Sequence, residues 1–135
     1  MKATFIQDPA DLDAQYERLL PIFERVPQVP EFTPRQLFER AKKGLVTIGY
    51  CERASEAVIA FAFEFIYYPN MTAVNIIALA GDDFESVAAS LLDRLKVFAK
   101  LAGADCIEAS CSPAGARLLH KYGFEETYRL VRTKL

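Results

Sequence analysis

Two carboxylates stand out because each sits alone in an apolar run. Glu64 interrupts AVIAFAFEFIYY, residues 57–68, and Glu108 lies within DCIEASC, residues 105–111. A carboxylate among apolar neighbours loses hydration, which lifts its pKa toward neutrality and suits it to take a proton from an amine. The alternative for each is a solvent-facing residue paired with a nearby Arg or Lys. A third acidic feature is the turn LAGDDFESVAASLL, residues 79–92, where a strand meets a glycine and a helix begins. Such a junction can receive a phosphate, because free N–H groups and the helix dipole favour an anion there. Here it carries Asp82, Asp83 and Glu85. Asp82 or Asp83 suits the N-cap, and Asp82 with Glu85 has capping-box spacing. The helix is therefore expected to satisfy its own N-terminus, and the carboxylates are expected to repel a phosphate. His120 with Cys111 could form a thiol nucleophile, but no third orienting residue is evident. One His and three dispersed Cys match no metal-ligand spacing, so no metal is expected.

The elements that would position these residues follow from periodicity. A short strand, 2–7, leads to Asp8 and Pro9, a cap-then-proline helix start. Leu12, Tyr16, Leu19 and Leu20 share one face of that helix, and Pro21 predicts a kink or break near Leu20. Pro27 and Pro30 make 26–32 irregular. Thr33 and Pro34 start a second helix, through Leu37, Phe38 and Ala41 to a stop at Gly44. Strands over 45–52, 57–68 and 71–79 form an antiparallel meander, with Phe61, Phe63, Phe65 and Tyr67 on one face. A long amphipathic helix covers 84–102, with Val87, Leu91, Leu92, Leu95, Phe98 and Leu101 inward. Then come a strand at 105–111, a helix at 113–122 and a closing strand at 124–135. Strand, helix, strand implies a parallel crossover. The order is β-α-α-β-β-β-α-β-α-β: an α/β domain over 1–135, with a mixed, mainly antiparallel sheet and helices on both faces.

Composition narrows the function classes. The 135 residues are 52% hydrophobic and 25% charged, enough for a core and ordinary for a soluble domain. Net charge is -2 with no basic stripe, which gives nucleic-acid binding no support. Neither a secretory leader nor a membrane-spanning run is read, so a cytoplasmic setting is expected. Cys51, Cys106 and Cys111 then read as free thiols; Cys106 and Cys111, five apart in one expected strand, would point to opposite faces.

The element order resembles the GNAT superfamily of acyl-CoA-dependent N-acyltransferases. The most specific segment is SPAGARLLHKYGFEETYRL, residues 112–130, in which Lys121, Gly123 and Phe124 match a Lys-x-Gly-Phe helix end and Ala116 and Leu118 fill apolar positions. The resemblance implies acetyl-CoA as cofactor, in a crevice where the fourth and fifth strands splay. Ile77, Ala78, Leu79, Gly81, Ser86 and Ser112 would hold it, and Glu64 or Glu108 would serve as the base. Two departures stand against activity. The family's Arg/Gln-x-x-Gly-x-Gly/Ala pyrophosphate loop is replaced by 81–88, with one glycine and no Arg or Gln. The family's leaving-group tyrosine corresponds to Leu119, which carries no proton. A narrower resemblance, to short GNAT-like proteins of tailed bacteriophages, rests on Tyr68-Pro69, on Ala78-Leu79-Ala80-Gly81 and on residues 103–108.

Two functions are therefore expected to compete, and the lost motifs favour the first. One is a non-catalytic GNAT-like module, in a phage virion or a regulatory assembly, acting through a protein partner or a homodimer. It predicts a closed crevice and an exposed apolar patch on the first two helices. The other is a divergent N-acetyltransferase, which predicts an open crevice and unpaired N–H groups at 83–87.

Overall fold

The computed structural model describes residues 2–135. Its elements are β1 (Lys2–Phe5), α1 (Pro9–Glu24), α2 (Pro34–Lys42), β2 (Thr47–Arg53), β3 (Glu56–Tyr67), β4 (Thr72–Gly81), α3 (Phe84–Leu101), β5 (Cys106–Ala109) and α4 (Pro113–His120). The strands form one sheet in the order β1-β2-β3-β4-β5. Pairs β1–β2, β2–β3 and β3–β4 are antiparallel, and β4–β5 is parallel. The mixed, mainly antiparallel sheet with helices on both faces is the predicted architecture. No helix among the described residues is long and apolar enough to cross a membrane.

Period-2 alternation along β3 divides the core. Phe61 and Phe63 face α3, where they meet Val87, Leu91, Leu92 and Leu95. Ala60 and Ala62 face the other way, where their small side chains let Leu12, Leu19, Ile22 and Phe23 of α1 approach with Leu37 and Phe38 of α2. Asp8 caps α1 through the N–H of Ala10 at 2.9 Å. Thr33 and Gln36 close a reciprocal capping box on α2.

Three of the expected elements are not formed as read. Helix α1 does not break at Pro21 but continues to Glu24. Proline there removes one backbone bond, yet Leu19, Ile22 and Phe23, 0%, 3% and 1% exposed, anchor the last turn in the core. Strand β5 stops at Ala109, so Cys111 lies in the exposed connection to α4 and does not share a strand with Cys106. The closing strand at 124–135 is not formed. Phe124 is half-buried against the α3 side of the core, and every residue from Glu125 to Leu135 is exposed.

Candidate functional site

Strand β4 organises the site. Its first part pairs with β5, from Ala73↔Cys106 to Ile76↔Ala109. Pairing ends at Ile76↔Ala109, where β5 itself ends, and beyond it the outer edge of β4 has no strand partner among the described residues. A bulge follows directly. Opposite β3, Ala62 faces Ala78 and Phe63 faces Ile76, so Ile77 is the extra residue. A bulge bends and twists its strand locally, which re-aims the following backbone. The side chains of Ile77 and Ala78 pack toward the α1 and α2 side, and Leu79 packs toward α3. What Ile77, Ala78 and Leu79 offer a ligand is therefore strand-edge backbone.

The strand ends at Gly81, with φ +130, where an added Cβ would lie 2.1 Å from the Val58 carbonyl oxygen. Only glycine fits so close an approach. Asp83 then takes a left-handed conformation, φ 57, and α3 begins. This corrects the expectation for this turn. Asp83 is the N-cap residue, but neither it nor Asp82 caps with its side chain, and no capping box with Glu85 forms. The carboxylates meet cations instead. Arg25 donates to Asp82 at 3.1 Å, Arg53 donates to Asp83 at 2.9 Å, and Lys121 donates to Glu85 at 3.5 Å. The Arg53 guanidinium, with a further contribution from Ser86, holds the Asp83 carboxyl below the usual aspartate range. Among the described residues, the N–H groups of Asp83, Phe84 and Glu85 have no hydrogen-bond acceptor. The Ser86 N–H is taken by the Asp83 carbonyl at 3.2 Å. The Ser86 hydroxyl donates to the same carbonyl at 2.9 Å and accepts from Arg53 at 2.8 Å.

The two candidate bases meet at the other end of β4. Glu64 pairs in register with Asn75, and Asn75 pairs with Glu108. Since Phe65, Val74, Ile107 and Ala109 face α3, alternation puts Glu64, Asn75 and Glu108 in one row on the opposite face. The Asn75 amide donates to Glu64 at 3.2 Å, and the Tyr68 hydroxyl donates to Glu108 at 2.6 Å. That hydrogen bond is the main reason why the Tyr68 phenol is pushed above its usual pKa. Asn75 was not among the residues picked from sequence, and Tyr68 was noted only for the narrower resemblance, not for a site. Only the strand register brings them to the carboxylates.

The remaining candidates have local roles. Ser112 caps α4 by accepting from the Gly115 N–H at 3.2 Å. Leu119 is buried in the core. Tyr122 is half-buried, edge-on to Phe84 with ring centroids 6.1 Å apart. His120 Nδ1 lies 3.2 Å from the Phe124 carbonyl oxygen, and burial pushes the Cys111 thiol pKa up. A raised pKa leaves less thiolate, which opposes a nucleophilic role. No group of three or more His, Cys, Asp or Glu converges among the described residues. The expected apolar patch on α1 and α2 does not form, because their large apolar side chains face inward. Exposed ones lie elsewhere: among others Tyr67, Tyr68 and Met71 at the β3–β4 turn, Val97 and Leu101 on α3, where Leu101 was expected inward, and Tyr128, Leu130, Val131 and Leu135 along the C-terminal segment.

No family model matches the chain, and no curated protein matches it in sequence. Solved structures do match its fold. The ribosomal-protein-alanine N-acetyltransferase of Brucella melitensis biovar Abortus 2308 is 10% identical with a TM-score of 0.77, over 100% of both chains. An aminoglycoside acetyltransferase from an uncultured soil metagenomic sample, in complex with sisomicin, is 16% identical with a TM-score of 0.74, over 99% of this chain and 95% of that one. A predicted acetyltransferase of Clostridium acetobutylicum, solved with acetyl-CoA, is 19% identical with a TM-score of 0.70, over 98% of this chain and 96% of that one. The fold is GNAT-like, as the sequence resemblance implied.

Proposed function

We propose that the chain binds an acyl-CoA along the free edge of β4 and transfers the acyl group, acetyl in the simplest case, to an amine at the Glu64–Asn75–Glu108 row. One observation carries this reading. Beyond the Ile77 bulge, β4 runs unpaired to a helix N-terminus with three unengaged N–H groups. An elongated ligand with a phosphate at one end fits that layout. The distance from Gly81 back to Asn75 is about 20 Å of strand at ~3.3 Å per residue. The N–H groups of Asp83, Phe84 and Glu85 would receive the pyrophosphate. Arg25 and Arg53 stand beside it and can exchange a carboxylate for a phosphate. The backbone of Ile77, Ala78 and Leu79 would hold the extended arm by strand-like hydrogen bonds.

When bound, the thioester supplies an acyl carbon open to attack. Glu108, beside the point where β4 and β5 part, accepts the proton from the ammonium and frees the amine lone pair. Glu64 lies two strands away, held by Asn75, and its charge helps to attract the cationic acceptor. As the new C–N bond forms and the C–S bond breaks, the nitrogen sheds its second proton, which passes through water to the departing thiolate, because Leu119 has none to give. Ser86 and Ser112 are already bonded to protein groups and contribute through loop and helix geometry.

A second reading has its own support: buried Leu119 and the three ion pairs around the α3 N-terminus suit a module that has given up catalysis for protein contacts, in the cytoplasm or a phage virion. Calorimetry with acetyl-CoA separates the two. The wild type is expected to bind in the micromolar range, and an Asp82→Ala/Asp83→Ala variant several-fold more tightly, because Arg25 and Arg53 are released. Absence of binding by both proteins would overturn the acyltransferase reading and favour the protein-binding module.

A further inference from the structure

We propose that the gap left by the Ile77 bulge on the α3 face of β4 seats the end of a short acyl chain, so that the protein takes a three- or four-carbon acyl-CoA in preference to acetyl-CoA. This rests on the acyl-CoA reading above and names its acyl group. In a regular strand every second residue points to the same face. Across the bulge the count is three. Ile76 and Leu79 pack toward α3, and both residues between them, Ile77 and Ala78, pack toward α1 and α2. Neighbours on the α3 face therefore stand about 10 Å apart along β4 instead of about 7 Å. No side chain fills the difference. An apolar cavity of about 10 Å³ remains there, bounded by Ile76 and Leu79 of β4, Phe61 and Phe63 of β3, and the leucines of α3 from Leu91 to Leu95.

That space admits a single methyl group, and its apolar side chains give a water molecule nothing to bond to. Its inner wall is closed, since Phe61, Phe63, Leu92 and Leu95 are 3% exposed or less. Its outer wall is open. Leu79 is half-buried, and the strand edge beside it has no partner because β5 ends at Ala109, opposite Ile76. The opening thus lies on the edge whose backbone would hold the thioester. An acetyl methyl, one bond from the thioester carbonyl, stays at that edge. A third or fourth carbon reaches past Leu79 into the gap and supplies the contacts that the lining side chains lack. Each methylene that enters raises affinity about fourfold. A six-carbon chain finds no room behind the first methyl.

Calorimetry on the full chain with CoA and its acetyl, propionyl, butyryl and hexanoyl thioesters tests this without an amine acceptor. Propionyl- or butyryl-CoA is expected to bind about fourfold more tightly than acetyl-CoA, and hexanoyl-CoA about tenfold more weakly than the best of them. Two variants at half-buried Leu79, checked for folding by circular dichroism, move the limit in opposite directions. Leu79→Phe fills the mouth and is expected to abolish the advantage over acetyl-CoA. Leu79→Ala widens it and is expected to restore hexanoyl-CoA. Equal binding of CoA and all four thioesters, a preference for acetyl-CoA, or an order that neither folded variant moves would overturn the acyl seat and leave the acyl-CoA reading standing. Absence of binding by CoA and every thioester would overturn both.

Discussion

The two ends of β4 present opposite kinds of chemistry. At Asn75 the strand is paired on both sides, and its contribution is a side chain linking Glu64 to the row that ends at Glu108. At Gly81 the outer side is unpaired, and the contribution is backbone: a free strand edge and three N–H groups at the start of α3. Residue type announces the first kind of site, since a carboxylate in an apolar strand is conspicuous. Conformation makes the second, and residue type there misleads. Asp82 and Asp83 read as carboxylates that cap a helix N-terminus, but with Asp83 left-handed neither makes a cap hydrogen bond, and each pairs with an arginine.

The most disruptive way to break the comparison is to remove the glycine that ends the strand. Gly81→Ala puts a Cβ within 2.1 Å of the Val58 carbonyl at a φ that L residues rarely adopt. Overpacking and backbone strain together are expected to cost about 3 kcal/mol. Urea denaturation would show a lower midpoint, and acetyl-CoA binding would weaken under conditions where the variant remains folded. A variant as stable as the wild type would mean that the turn relaxes freely, and the backbone site would lose its rigid origin.

At the other end the effect is on rate. With an amine acceptor in hand, Glu108→Gln is expected to lower kcat/KM roughly 100-fold, the lower end of general-base effects. Glu64→Gln, farther from the point of splitting, is expected to lower it about tenfold. Steady-state kinetics on both variants, with unfolding curves to exclude loss of structure, decide the order. If Glu64→Gln is the more damaging, the base is reassigned to the middle of the sheet.

How much of this was legible depends on which interactions are local. Alternation of Phe61, Phe63 and Phe65 revealed the β3 face, and the cap-then-proline signals at Asp8 and Thr33 placed α1 and α2. Helix α1 passing through Pro21 was not legible, because burial of Leu19, Ile22 and Phe23 is a tertiary effect that outweighs the local preference. Glu64 and Glu108 could be chosen by type, but their connection through Asn75 exists only in the register, which a bulge at Ile77 shifts by one residue. The 124–135 segment has a strand's composition and was read as a strand. What the sequence did not disclose is that, among the described residues, no backbone group pairs with it.

A smaller effect sharpens the assignment of Ser112, which resemblance placed at the cofactor and the structure places at a helix cap. Ser112→Ala is expected to cost about 1 kcal/mol, as other N-cap losses do, and to leave acetyl-CoA affinity within twofold. Paired denaturation and calorimetry check this. A large loss of affinity at unchanged stability would return Ser112 to the ligand.

The smallest effect belongs to the Arg53–Asp83 pair, which lies at the surface and is open to salt screening. Its sign is nevertheless fixed. Arg53 depresses the Asp83 pKa in the folded chain, so the pair stabilises the fold above the ordinary aspartate pKa of about 3.9. That contribution is lost as pH falls through the depressed folded value. The stability difference between wild type and Arg53→Ala should therefore be present at pH 6, shrink once pH drops below the ordinary aspartate value, and fade in high salt. Urea curves for the two proteins across that range measure it. A difference that persists in acid would mean that Arg53 acts through the Ser86 hydroxyl rather than through charge, and the α3 N-terminus would then be braced by a neutral hydrogen bond.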